Sequence, residues 1–175
     1  MKKKIVSVCL VVCLLATAII GTTLAYFTDK TEAVTNTFTV GNVDIELAEN
    51  TGNNYKMIPG TTLDKDPKVT VKGGSEDCYV FVKVEETDLT DYITYEIAEG
   101  WTKLDGTGNV YYREAENNAE DITWSVLAGD EVAVKNTVAD IAEGDDPTLS
   151  FTAYAIQMAS FEGNPAAAWA AGAWN

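Results

Sequence analysis

An all-β chain, a jelly-roll or Ig-like β-sandwich with a short C-terminal helical tail, is the fold that this 175-residue sequence predicts. Three observations point to it. Short runs of alternating or continuous apolar residues recur along the chain. Turns rich in Gly, Pro and Asp separate those runs. No stretch shows the regular strand–helix alternation of an α/β protein.

The runs are taken in order. Residues 36–47 (NTFTVGNVDIEL) end in an alternation of Val43, Ile45 and Leu47 with Asp44 and Glu46, the period-2 pattern of a half-buried strand. Pro59-Gly60 is a turn, and residues 67–71 (PKVTV) alternate again. After the Gly73-Gly74-Ser75 turn, residues 78–84 (CYVFVKV) are apolar at nearly every position, which predicts a central strand covered on both faces. Residues 92–97 (YITYEI) and 110–113 (VYYR) are shorter strands, the second entered through Gly106-Thr107-Gly108-Asn109. Residues 131–138 and 148–157 complete the set, with Asp145-Asp146-Pro147 ahead of the last. Short helical turns are expected at 29–33 and 140–143, and acidic loops at 114–121 and 140–146. In the tail, Asn164 suits an N-cap, Pro165 a first helical position, and Ala166–Ala171 a helix that Gly172 weakens.

The N-terminus has the three-part layout of a secretory signal. Lys2, Lys3 and Lys4 precede an uncharged run from Ile5 to Ile20, Gly21 breaks it, and Thr23-Leu24-Ala25 places small residues at the −3 and −1 positions. The run is shorter than the ~20 apolar residues of a spanning helix. Cleavage is expected between Ala25 and Tyr26, so the membrane is met only through the signal before cleavage. Leu10-Val11-Val12-Cys13 is a poor lipidation signal, because Val12 stands where a small residue is required. The expected organisation is a signal peptide (1–25), an N-terminal segment (26–35), a β-sandwich domain (36–158) and an Ala/Trp-rich tail (159–175).

Composition excludes several chemistries. The chain has no His, which removes Ser-His-Asp and Cys-His catalysis and HExxH zinc sites. Twelve Lys+Arg face 27 Asp+Glu, and loss of Lys2, Lys3 and Lys4 with the signal moves the formal charge from −15 to −18. Such a surface repels phosphates, so nucleic acid is not an expected partner. Cys9 and Cys13 leave with the signal, and Cys78 alone permits no internal disulfide. Cys78 is expected to be a small buried residue.

Three passages together resemble one family. The first is Gly21 to Asp29 (GTTLAYFTD), a signal ending in Ala followed by aromatic-Phe-x-Asp. The second is Phe38 to Leu47 (FTVGNVDIEL). The third runs from Pro59-Gly60 through Leu63, Lys65-Asp66, Val69, Val71 and Gly73-Gly74-Ser75 into the strand Cys78–Val84. This is similar to the TasA/camelysin family, secreted proteins of Gram-positive bacteria with a SipW-dependent type of signal peptide. The resemblance implies a jelly-roll sandwich, processing by a SipW-type signal peptidase, and an extracellular location at the cell surface or in the biofilm matrix. It also implies a structural role as a fibre subunit or accessory, through self-association or association with related matrix proteins. In such fibres the segment freed by cleavage is donated to a neighbour, a form of β-augmentation. Here it would begin at Tyr26 and Phe27 and run toward Val34.

Two alternatives accompany that reading. The family includes camelysin-type metallo-endopeptidases, but the missing His argues against an enzyme, and no cofactor or metal is expected. Asp64 with Asp66, and Glu143 with Asp145 and Asp146, are expected to be solvated turn residues without the spacing of a calcium loop. The other alternative is a surface module binding carbohydrate or protein through aromatics. Trp101 and Trp124 read as core, whereas Trp169 and Trp174 are candidate partner-binding residues or a cover for an open sheet. Five apart, these two do not share a helical stripe. The acidity would keep an edge-bearing domain soluble, and assembly is then expected to rise with salt or low pH.

Overall fold

The computed structural model describes residues 42–52, 55–136, 147–161, 163–172 and 174. The strands are β1 (Ile45–Ala48), β2 (Thr62–Asp64), β3 (Lys68–Val71), β4 (Cys78–Thr87), β5 (Ile93–Thr94), β6 (Thr102–Lys103), β7 (Val110–Ala115), β8 (Ile122–Ser125), β9 (Glu131–Val134) and β10 (Thr148–Gln157). Helix α1 covers Pro165–Ala171. The strands form three antiparallel sheets, ordered β10-β4-β7-β6, β1-β3-β8 and β2-β9-β5. The all-β class is as the sequence predicts.

Strand β4 is the centre, because its side chains are buried on both faces. Cys78, Val80, Val82 and Val84 point into one core with Val69, Val71, Trp101 and Val126, joined by Ile45, Leu47 and Trp124. The β1-β3-β8 sheet therefore packs on the β4 sheet as two layers of a sandwich. Tyr79 and Phe81 point the other way, into a second core with Leu104, Val110 and Ala168 that α1 covers. The unbroken apolar run of β4 is thus explained by a sheet on one side and a helix on the other. Each Val or Phe removed from water here contributes about 1.5–3 kcal/mol.

The second layer is divided where two sheets were not foreseen. Asp64 of β2 opposes Glu131 of β9, and Lys68 of β3 opposes Ser125 of β8. The two ladders are one antiparallel pair interrupted once, by residues 65–67 on one side and the longer excursion 126–130 on the other. Pro67 lacks the N–H a continuous ladder needs. The Lys65 amide donates to Asp130 O (2.8 Å) and the Val126 amide to Pro67 O (2.9 Å), closing both ends of the interruption. Gly129 and Asp130 take φ of 69° and 54°, which turns the longer side. The β2-β9-β5 sheet then has its own core of Leu89, Ile93, Leu127, Val132 and Val134, shared with Leu149 and Phe151 of β10.

Several boundaries differ from expectation. The 92–97 run is a strand only at Ile93–Thr94, and Ile97 makes an isolated bridge to Leu127. Strand β7 continues through Glu114 to Ala115, into what reads as an acidic loop, because Ala115 pairs with Cys78. Residues 36–41, the helical turns expected at 29–33 and 140–143, and the acidic residues Glu143, Asp145 and Asp146 lie outside the described residues. Helix α1 is as expected: Asn164 Oδ1 accepts from the Ala167 amide at 3.0 Å, and Pro165 opens the first turn.

Candidate functional site

A groove of about 1110 Å³ lies between β1 and β10. Among the described residues β1 pairs only with β3 and β10 only with β4, so each presents an unpaired edge. Leu47 and Ala48 form one wall, and Thr148, Leu149, Ser150 and Phe151 the other. Leu63, Leu89, Ile93 and Val132 contribute apolar surface from the third sheet. Strands β1 and β10 belong to different layers and approach within 8 Å of each other, and among the described residues no strand pairs with either edge at this corner. Edge backbone beside an apolar lining is the chemistry of a site for an extended peptide segment.

One polar feature is built into the wall. The Lys65 side chain is 9% exposed, and its Nζ lies 2.7 Å from Glu49 Oε1. The same ammonium is 5.0 Å from the Tyr55 ring centroid and 5.6 Å from that of Phe151. The Tyr55 hydroxyl donates to Glu49 Oε1 at 2.8 Å. Burial of the phenol, acting first, raises the Tyr55 pKa. This is how a lysine is accommodated inside: one carboxylate partner and two ring faces replace its water.

Asp66 ties down the chain just after β1, and this corrects its reading as a solvated turn residue. It is buried and accepts from the Asn50 amide (2.9 Å) and the Thr51 amide (3.0 Å). The Asn50 amide, first among these bonds, holds the carboxyl well below the usual carboxylate range. A depressed folded-state pKa contributes stability that is present above the unfolded value of about 4 and is lost as pH falls toward the folded value. Asp66→Asn is therefore expected to flatten the fall in thermal stability below about pH 4, checked by calorimetry of both proteins across that range.

A second cleft of about 640 Å³ lies between β5 and β7, lined by Glu86, Tyr95, Glu96, Asn109, Tyr111 and Lys135 among others. The Tyr95 hydroxyl donates to Glu86 and the Lys135 ammonium to Thr90 O. Burial, then the Glu86 contact, raises the Tyr95 pKa. Both polar heads are thus engaged within the protein.

The residues singled out from the sequence are distributed as follows. Ala25, Tyr26, Phe27 and Val34 lie outside the described residues. Trp101 is buried, as expected, with Trp124 edge-on at 6.1 Å. Trp169 and Trp174 stack on each other with centroids 5.1 Å apart, against expectation for their spacing. The helix ends at Ala171, and Trp174 lies beyond it, donating from Nε1 to Trp169 O at 2.7 Å. Both rings pack on Phe81 (5.2 and 5.9 Å) and Tyr154 (5.6 and 4.9 Å), so the tail covers its own sheet. Neither the groove nor its Lys65 pair was visible in the sequence. A lone Lys between Asp64 and Asp66 reads as surface, and only the break at Pro67 hints that the chain turns inward there.

Metal-binding chemistry is poorly supplied. The chain has no His, and among the described residues no group of three Cys, Asp or Glu is placed to hold an ion. Cys78 is fully buried, and burial pushes its thiol up to about 11, so the thiolate that zinc requires is disfavoured. Among the described residues no helix is long and apolar enough to cross a membrane.

Residues 1–97 match the family model described as camelysin metallo-endopeptidase. No curated protein and no solved structure matches the chain. The metal named in that description does not fit the donors present among the described residues.

Proposed function

The chain belongs to the camelysin metallo-endopeptidase family, and from that membership we propose that it is an exported structural protein rather than a peptidase. In this reading it is a fibre subunit or accessory of the biofilm matrix, outside a Gram-positive cell. A SipW-type signal peptidase cuts between Ala25 and Tyr26. The freed segment Tyr26–Val34 of one copy then lies in the groove of the next.

The observation that carries the reading is the groove between β1 and β10, with an edge on each side that is unpaired among the described residues. Segment 26–34, fully extended, spans at most about 30 Å, enough to run past the four residues Thr148–Phe151 of β10 that border the groove. Tyr26 and Phe27 supply aromatic anchors for the apolar lining. Cleavage matters because a strand still tethered to the membrane cannot be passed freely along a fibre. The absence of His and the inaccessible Cys78 thiol favour this reading over hydrolysis.

The test is deletion of Tyr26–Val34 from the mature protein. Fibres seen by electron microscopy are expected to disappear, while the thermal midpoint of the subunit changes little. Fibres formed in undiminished yield by the deletion protein overturn the proposal. Zinc-dependent cleavage of casein by the purified mature protein would instead restore the peptidase reading.

A further inference from the structure

We infer that the Lys65–Glu49 pair is the selectivity element of the β1–β10 groove: it admits a strand that meets it with an uncharged side chain and rejects one that meets it with a charge. The inference rests on the groove taking an extended segment, as proposed above, and goes on to what that segment must be.

Among the described residues, three charged side chains line the groove: Glu49, Lys56 and Lys65. Lys56 is exposed and turns to water without cost. Lys65 has no such freedom, since its side chain is 9% exposed and its ammonium sits at 2.7 Å from Glu49 beside two aromatic rings. Glu49 keeps 25% of its side-chain surface exposed and lines the groove. A strand laid in the groove removes that remaining water. If it presents Thr, Ala or Val there, the pair stays closed and both charges stay satisfied. A carboxylate instead gives one ammonium two acids to serve, and an ammonium gives one carboxylate two bases. Either way one charge is covered without a partner, the costly outcome for buried ions.

The pair also narrows the choice of register. The segment reads Tyr-Phe-Thr-Asp-Lys-Thr-Glu-Ala-Val from 26 to 34, with charges at Asp29, Lys30 and Glu32. Opposite faces of a strand alternate, so a slip of one residue exchanges the face that meets the groove. Placements that set Asp29, Lys30 or Glu32 against the pair are excluded, and those that set an uncharged residue such as Thr28, Thr31, Ala33 or Val34 there are admitted.

The experiment titrates a labelled synthetic peptide of residues 26–34 with the mature protein and reads fluorescence polarisation. Four further peptides replace Thr28, Thr31, Ala33 and Val34 by Asp, one at a time, so that both faces are covered. At least one Asp peptide is expected to bind about tenfold more weakly than the parent. In Glu49→Gln, where Lys65 has lost its acid, that same peptide is expected to bind at least as well as the parent. In Lys65→Met the same peptide loses further affinity instead. Circular dichroism checks that each variant is folded, and the wild-type ranking is a test that needs no variant. Four Asp peptides binding the wild type as the parent does, or a ranking unchanged in Glu49→Gln, overturn the inference while leaving the groove as a docking site. Failure of every peptide to bind overturns both.

Discussion

Phe81→Ala is expected to lower the unfolding free energy by about 3–5 kcal/mol, the range for deleting a buried aromatic ring. Phe81 is fully buried at the middle of β4, where it pairs with Tyr112 of β7 and Tyr154 of β10. Its ring lies 6.3 Å from Tyr79, 5.2 Å from Trp169 and 5.9 Å from Trp174. A cavity at this point lies under Trp169 of α1 and Trp174 just beyond it. A seven-residue helix does not persist in water unaided. Loss of the ring should therefore release the helix as well as leave a void, and the cost should lie high in that range. Urea unfolding followed by tryptophan emission checks it, since Trp169 and Trp174 report directly on the helix. A loss under about 1 kcal/mol would mean that the second core collapses around the gap.

Gly172→Ala is expected to cost about 2–3 kcal/mol, nearly all of it through Trp174. The glycine has φ −68° and ψ 132°, a conformation open to alanine, so backbone strain plays no part. An added methyl would overlap the Trp174 ring. The ring must leave, and with it go its stack on Trp169, its contacts with Phe81 and Tyr154, and its bond to Trp169 O. Acrylamide quenching should rise for one indole of the variant, alongside a lower thermal midpoint. A midpoint equal to wild type would show that the ring finds an equivalent seat.

The sequence reads most clearly where burial and local chemistry agree. The apolar run of β4 announces a strand enclosed on both faces, and Asn164 with Pro165 announces the start of α1. It reads poorly where pairing, not pattern, makes the strand. Thr62–Asp64, Thr102–Lys103 and Ile122–Ser125 carry little periodicity and become strands only because β9, β7 and β3 lie alongside. The split of the second layer is hidden for a related reason: it depends on two short interruptions meeting across a ladder. The groove is hidden more completely. It is a gap between β1 and β10, distant in sequence, and no property of either strand alone encodes a missing neighbour. For Trp174 the helical-stripe rule fails because the helix ends three residues earlier, at Ala171.

The double burial of β4 sets a gradient of lifetimes across the sheet. Amides at Val80, Phe81 and Val82 are bonded into ladders on both sides and lie beneath two cores. They can exchange with solvent deuterium only when the whole domain opens. The two-residue strands β5 and β6 each join a single neighbour and should exchange through local fraying, orders of magnitude sooner. Strand β10 combines both behaviours, protected where it faces β4 and open where it borders the groove. An occupant of the groove would therefore register as slowed exchange along Thr148–Phe151, with the β4 amides already at their limit.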